Sequence, residues 1–371
     1  MSGPLRGAHH DTAPETVLVV GTGLVGTSAA LALRAAGAQV YLEDADPAHA
    51  RRAAQLGAGI AGAPPGPVEV CLLGVPPEVV APTLAALQSR GIARHYTDVA
   101  SIKAAPQHAA ESLACDTASY VGGHPMAGRE RSGPSAARSD LFVGRPWILT
   151  PSAATSPDTV AAARSVALAC GALPVVLTPE EHDRAVALVS HAPHVVAAAV
   201  AARLLGGEDE AVGLAGQGVR DVTRIAASDP TLWQAILRGN AAPVAEVVAA
   251  VAEDLAAVAR SLRALAEGSA DDADETVRDL LERGVAGRAR IPGKHGGPPA
   301  TYLTVPVVVE DRPGELARLF VDAGRAGVNV EDVRIEHSPG QPVGLVELLV
   351  RPEAAAGLAA ALDGMGWRMQ G

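Results

Sequence analysis

Three stretches of the chain carry side chains suited to chemistry. In Val121-Gly122-Gly123-His124-Pro125-Met126-Ala127-Gly128, an imidazole sits between glycines and a proline. Glycine lets backbone approach a ligand closely, and proline after histidine stiffens the turn. An imidazole near its ordinary pKa, ~6.5, can take up a proton at neutral pH; a hydrogen-bonded structural histidine is the competing reading. In Ser190-His191-Ala192-Pro193-His194, two imidazoles three residues apart share one helix face. That pair can bind a metal, fill a core or interface, or touch a substrate. It lacks the intervening glutamate of a zinc-protease motif and any cysteine partner, so no metal is expected. In Gln217-Gly218-Val219-Arg220-Asp221-Val222-Thr223-Arg224, two guanidiniums stand four apart. One can pair with Asp221 or Glu210, and the other can grip a carboxylate through two parallel hydrogen bonds.

These groups need elements to position them. Val17 to Val20 is a short apolar run of the kind that forms a buried parallel strand. Gly21-Thr22-Gly23-Leu24-Val25-Gly26 follows at once and opens a helical pattern from Leu24 to Ala36. A GxGxxG run between strand and helix is a dinucleotide-binding turn: its glycines admit a pyrophosphate and the helix N-terminus favours the negative charge. A second strand, Gln39 to Leu42, leads to Asp44, 18 residues after Gly26, where a carboxylate can accept from the adenine ribose hydroxyls. Asp44 would repel a 2′-phosphate, and Arg51 and Arg52 lie two turns away, so NAD is expected over NADP. Further strands are expected at Val68–Leu73, His95–Val99 and Tyr120–His124, with closing strands at 147–150 and 174–176 around a helix at 157–170. Ligands in such sheets bind beyond the carboxyl ends of the strands. Ser101 and Lys103 fall there, beside His124. Ser101 reads either as a helix cap or as a hydroxyl facing nicotinamide and substrate, and Lys103 as a substrate contact. Residues 129–145 read as a polar loop over the site.

From Thr178 the pattern turns helical. Glu180-Glu181-His182-Asp183 opens a long helix that Pro193 should bend, and Asn240 to Ala266 forms another, apolar enough for a partner chain. Residues 286–300 have linker composition. Beyond them the pattern runs βαββα, with room for a last strand. The expected division is a tail (1–15), a dinucleotide-binding domain (16–177), an all-α substrate and dimerisation domain (178–285), the linker, and a small α+β domain (301–371).

Composition narrows the classes. A net charge of −11 argues against nucleic-acid binding. Three scattered cysteines in apolar contexts fit reduced thiols in the cytoplasm. Residues 1–16 show no secretion-signal pattern, and no apolar run is read as approaching the ~20 residues of a membrane span.

In combination the motifs GTGLVG, DVASIK, GGHPMAG with RERSG, EHD, SHAPH, and TRIA followed by SDP and a tryptophan resemble the prephenate/arogenate dehydrogenase family over roughly residues 15–270. Ala192 stands where leucine is commoner, and Ala100 replaces a common glycine. The resemblance implies oxidative decarboxylation of prephenate to 4-hydroxyphenylpyruvate, or of arogenate to tyrosine, with reduction of NAD. It implies that His124 bonds the ring hydroxyl with Ser101 in support, that Arg224 holds a substrate carboxylate, and that His191 and His194 line the pocket. The fused chorismate mutase of some members is not expected here. Asp311-Arg312-Pro313-Gly314-Glu315-Leu316 with Gly327-Val328-Asn329-Val330 resembles an ACT domain, which implies an amino-acid effector near Gly314 and Asn329, an aromatic one by pathway.

Two other classes share parts of this pattern. A 3-hydroxyacid dehydrogenase would place a lysine on the first helix of the second domain, and residues 178–205 contain none. A non-catalytic NAD- and amino-acid-binding regulator would have no need of His124 or Ser101.

Overall fold

The computed structural model describes residues 13–127, 133–268, 273–292, 301–337 and 342–370. The chain forms two compact units, residues 1–252 and 253–371. The first begins β1 (Thr16–Val20), α1 (Leu24–Ala35), β2 (Gln39–Glu43), α2 (Pro47–Gln55), β3 (Ile60–Ala61), β4 (Val68–Leu73), α3 (Pro77–Ser89), β5 (Ala93–Asp98), α4 (Ala104–Ser112) and β6 (Tyr120–Pro125). It continues β7 (Pro146–Thr150), α5 (Pro157–Ala169) and β8 (Leu173–Val176). The eight strands make one sheet in the order β3-β2-β1-β4-β5-β6-β7-β8. β1 to β6 are parallel; β7 runs antiparallel to β6, and β8 parallel to β7. The order of the first six strands is that of dinucleotide-binding sheets, with the crevice where β1 and β4 part.

The inner strands are apolar on both faces because helices cover both. Val17 and Val19 of β1 join Leu33, Leu72 and Trp147 in one core. Leu18 joins Cys71, Leu84 and Tyr120 in the other.

α6 (Pro179–Val186) starts at a capping box: Thr178 Oγ1 accepts from Glu181 N at 3.2 Å, and Glu181 Oε2 accepts from Thr178 N at 2.9 Å. A π-helical turn, Ala187–His191, then hands over to α7 (Ala192–Arg203). The expected disturbance at Pro193 is this turn, since proline offers no N–H to the preceding carbonyls. Pro179–Gly206 is 28 residues long and contains an 18-residue window of mean hydropathy 1.7, long and apolar enough by length and composition to cross a membrane. The reading of no such run is therefore corrected, although the inner side of this helix carries buried His182, Asp183, His191 and His194. α8 (Asp209–Gly213), α9 (Gln217–Thr223), α10 (Pro230–Gly239) and α11 (Ala241–Ala266) follow.

In the second unit, α12 (Ala273–Ala289) is tied to α11 by Arg283, whose Nη2 meets Asp254 Oδ1 at 2.9 Å while its Nε meets Asp279 at 2.8 Å. Residues 286–289, read as linker, are therefore helical, the helix running on past Gly284 and Gly287; residues 293–300 lie outside the described residues. β9 (Leu303–Glu310), α13 (Glu315–Arg325), β10 (Asp332–His337), β11 (Val343–Val350), α14 (Pro352–Gly364) and β12 (Arg368–Met369) complete the chain. The four strands are antiparallel in the order β10-β11-β9-β12. Alternate residues Val305, Val307, Val346 and Leu348 meet Leu319 and Leu358 of the helices in one core. The βαββα pattern was legible, and β12 adds the last strand.

Candidate active site

The glycine turn lies at the carboxyl end of β1. Gly21 has φ +94°, and a Cβ there would come within 2.4 Å of Gly74 O; one on Gly26 would come within 2.0 Å of Gly21 O. Those two glycines serve the packing of turn against strand. At Gly23 a Cβ would meet nothing within 4 Å. That open space lies at the start of α1, where the N–H groups of Leu24, Val25 and Gly26 have no intrahelical acceptor and suit a pyrophosphate. Asp44 Oδ2 accepts from Thr22 N at 2.6 Å and Thr22 Oγ1 at 2.8 Å, and Oδ1 accepts from Asp46 N at 2.9 Å. Burial acts to raise its pKa, but these hydrogen bonds and the nearby His49 outweigh it, so the carboxyl sits below its usual value. Asp44 lines a cleft of about 410 Å³ with Leu42, Pro47, Ala50, Arg51 and Gly62. Shape and donor set fit the adenosine half of a dinucleotide. Arg51, counted as remote from its position in sequence, faces this cleft because α2 begins directly after β2.

His124 is on β6, paired with Ile148 of β7, and is half-buried. Its Nδ1 lies 2.8 Å from His182 Nε2, with the rings edge-to-face at 70°. His182 is fully buried, and its Nδ1 lies 2.8 Å from Asp183 Oδ1. Asp183 also accepts from the backbone N–H of Lys103 at 2.8 Å and of Ala104 at 2.9 Å, at the start of α4. Burial, then His182, Lys103 and His191, push the His124 pKa well below the ordinary histidine value. The expectation of an ordinary pKa is corrected: His124 is neutral across the neutral range. The glycines before it also differ from expectation. A Cβ at Gly122 would strike Thr150 Oγ1 at 2.5 Å, and one at Gly123 would strike Asp98 O at 2.4 Å. The protein itself, rather than a ligand, fills the space these glycines leave.

Lys103 does not reach outward. Its side chain is fully buried, its Nζ donates to Asp98 Oδ1 and, at 2.6 Å, to the Gly123 carbonyl. Tyr120 Oη donates to the other Asp98 oxygen at 2.6 Å. The substrate-contact reading of Lys103 is therefore replaced by an internal one: it fixes the strand that carries His124. Ser101 is half-buried on the bend between β5 and α4, and β5 pairs directly with β6, so Ser101 and His124 share the ligand edge.

His191 is buried with its Nδ1 3.1 Å from Asn240 Nδ2, and its ring meets Trp233 edge-on at 5.9 Å. Burial drives its pKa down to about 4. His194 stacks on Trp233 at 3.5 Å with an 8° tilt. Both imidazoles thus pack on Trp233 within the helical layer, and among the described residues no cluster of metal ligands occurs. Asp221 accepts from Gln217 at 2.8 Å. Arg224 begins a 3-10 turn, Arg224–Ala227, that packs against α7, and is itself exposed. Of the expected loop, residues 129–132 fall outside the described residues; Arg138 N beyond them donates to Ser28 Oγ of α1 at 3.0 Å. Gly314 has φ +94° at the start of α13, and Asn329 Nδ2 donates to Glu331 at 2.8 Å.

The sequence reading passed over His182, Asp183, Asn240, Asp98 and Tyr120. The adjacent pair in EHD was the one available signal, but a capping box explains the start of that helix equally well.

Comparisons with known proteins bear on the family of this chain. The prephenate dehydrogenase nucleotide-binding domain matches residues 29–176, and the prephenate dehydrogenase dimerization domain matches residues 178–281. The chain is 42% identical to the probable prephenate dehydrogenase NovF of Streptomyces niveus, over 95% of this chain and 98% of that one. It is 33% identical to prephenate dehydrogenase of Bacillus subtilis strain 168, over 61% and 64% of the two chains. Among solved structures it resembles prephenate dehydrogenase from A. aeolicus in complex with hydroxyphenyl propionate and NAD+, with TM-score 0.65 and 28% identity over 74% of this chain and 97% of that one. It also resembles Synechocystis arogenate dehydrogenase, with TM-score 0.61 and 29% identity over 74% and 98%. A dinucleotide sheet, a half-buried histidine at its ligand edge and matches along both domains lead to one conclusion: the chain belongs to the prephenate dehydrogenase family.

Proposed function

We propose that the chain oxidatively decarboxylates prephenate to 4-hydroxyphenylpyruvate with reduction of NAD. The observation that carries this reading is His124, neutral and braced by His182 at the ligand edge of the sheet, next to the glycine turn. Bound NAD would supply the hydride acceptor. The protein orients the ring carbon bearing the hydroxyl, and His124 takes the hydroxyl proton as the carbonyl forms. Ser101 positions that hydroxyl, and Arg224 holds a carboxylate. Gly21, Gly23, Leu24, Val25 and Gly26 cradle the pyrophosphate, and Asp44 holds the ribose. His191 and His194 line the substrate pocket, held by their contacts with Trp233.

The likeness to an arogenate dehydrogenase supports a second reading, arogenate to tyrosine. The test is absorbance of reduced nicotinamide from the purified chain with prephenate and with arogenate, each with NAD and NADP. The larger kcat/KM names the substrate, and inactivity with both refutes the proposal. NADP preferred over NAD would overturn the role given to Asp44.

The dimerization-domain match and the exposed Leu188, Val189, Leu205 and Leu214 support a homodimer, checked by sedimentation. Residues 301–371 are a regulatory ACT-like domain for an aromatic amino acid such as tyrosine, a reading supported by the βαββαβ fold and Gly314. Truncation after residue 290 should retain catalysis and lose the effector response; no effect of any aromatic amino acid on rate or melting would refute it. Buried Cys71 and Cys170 suit a reduced, cytoplasmic setting.

A further inference from the structure

The reaction proposed above releases no net proton. The oxygen carries one proton in the substrate hydroxyl and one in the phenol product, so whatever proton the base draws off as hydride departs goes back to the oxygen as CO2 is lost. The base therefore has to take up and return a proton within one turnover.

The hydrogen bonds behind His124 suit that task. A carboxylate only accepts, so Asp183 Oδ1, at 2.8 Å, requires a proton on His182 Nδ1. In the neutral ring His182 Nε2 is then an acceptor, and at 2.8 Å it requires a proton on His124 Nδ1. That leaves the lone pair of His124 on Nε2. Asp183 is itself fixed by the N–H groups of Lys103 and Ala104, so the chain of constraints starts from the first turn of α4. Asn240 Nδ2 donates to the Asp183 carbonyl at 2.8 Å and holds the same turn of α6. Acting on the pair are Lys103 from the sheet side, itself bonded to Asp98 and through it to Tyr120, and Asp183 and His191 from the helix side.

We infer that Asp183 and His182 are positioning residues that set the tautomer of His124 and share the proton it collects, resting on the reading of His124 as the base. As Nε2 takes the hydroxyl proton, the Nδ1 proton moves to His182 Nε2, and the resulting imidazolium lies against the Asp183 carboxylate. When the carboxylate is lost from the ring, the product oxygen takes the proton back from His124 Nε2 and the Nδ1 proton returns from His182. Every proton is accounted for, and the pair ends as it began.

The test uses the full-length chain with NAD. Asp183→Asn removes the anion that favours the imidazolium, so kcat should fall roughly 100-fold or more with substrate KM within about threefold. The acid limb of its pH profile should also move to lower pH, which loss of a helix-start contact alone would not cause. His182→Gln keeps an acceptor for His124 Nδ1, while His182→Leu keeps none, so the glutamine variant should retain at least about tenfold more kcat. An unmoved acid limb in Asp183→Asn, or equal kcat in the two His182 variants, overturns the inference. If Asp183→Asn does not fold, the His182 pair decides. Near-native kcat in His124→Asn would instead defeat the base itself.

Discussion

Two polar clusters flank Gly123, and they differ in one respect. Lys103, Asp98 and Tyr120 form a closed network: the ammonium, both carboxylate oxygens and the phenol all bond one another or the Gly123 carbonyl, deep in the sheet. Asp183, His182 and His124 form a line whose far end, His124, is half-buried at the ligand edge. Buried polar groups that satisfy one another rigidify a fold, and a group left over at the end of such a line can act on a ligand. The closed cluster therefore belongs to stability, and the open one to chemistry.

Substitutions at each cluster test that division. His124→Asn should lower kcat ~10²–10⁴-fold while NAD binding and melting temperature stay near native. A comparable loss of stability would erase the distinction. Lys103→Met should do the reverse, leaving Asp98 buried without its cation at a cost of about 3–5 kcal/mol in chemical denaturation, with a smaller effect on substrate KM. A large rise in KM at full stability would return Lys103 to the substrate. Arg224→Ala, outside both clusters, should mainly raise substrate KM, by the ~1.5–3 kcal/mol of a lost hydrogen bond to a charged group. An unchanged KM would move the carboxylate role to Arg220.

The smallest expected effects are in pH. Because His124 is held below its ordinary pKa, kcat/KM should stay level down to about 6.5 and fall only in more acid solution. His191 has a folded pKa of about 4, so the unfolded chain takes up its proton first as the solution is acidified. The stability it contributes is full above about 6.5 and drains away as pH falls toward its folded value. Melting temperatures should drop over that range, less steeply in His191→Gln, and parallel slopes in the two proteins would refute the assignment.

The sequence alone determined what local pattern can determine. GTGLVG between strand and helix, with Asp44 after the next strand, announces a dinucleotide sheet, because glycine spacing and strand length are local properties. GGHPMAG singled out His124, Thr178 and Glu181 marked a helix start, and the βαββα order of residues 301–371 followed from alternation. Tertiary structure alone decided which polar groups meet. His124 and His182 are separated by 58 residues, Lys103 and Asp183 by 80, and His191 and Asn240 by 49. No periodicity encodes those pairings, which arise because α6 lands on the ligand edge of the sheet. The direction of a long side chain was equally hidden: Lys103 beside a ligand edge reads as a contact, yet Asp98 and a backbone carbonyl draw it inward. A buried carboxylate and a buried ammonium each cost several kcal/mol unless they find the other, and that balance is settled only once the strands are paired.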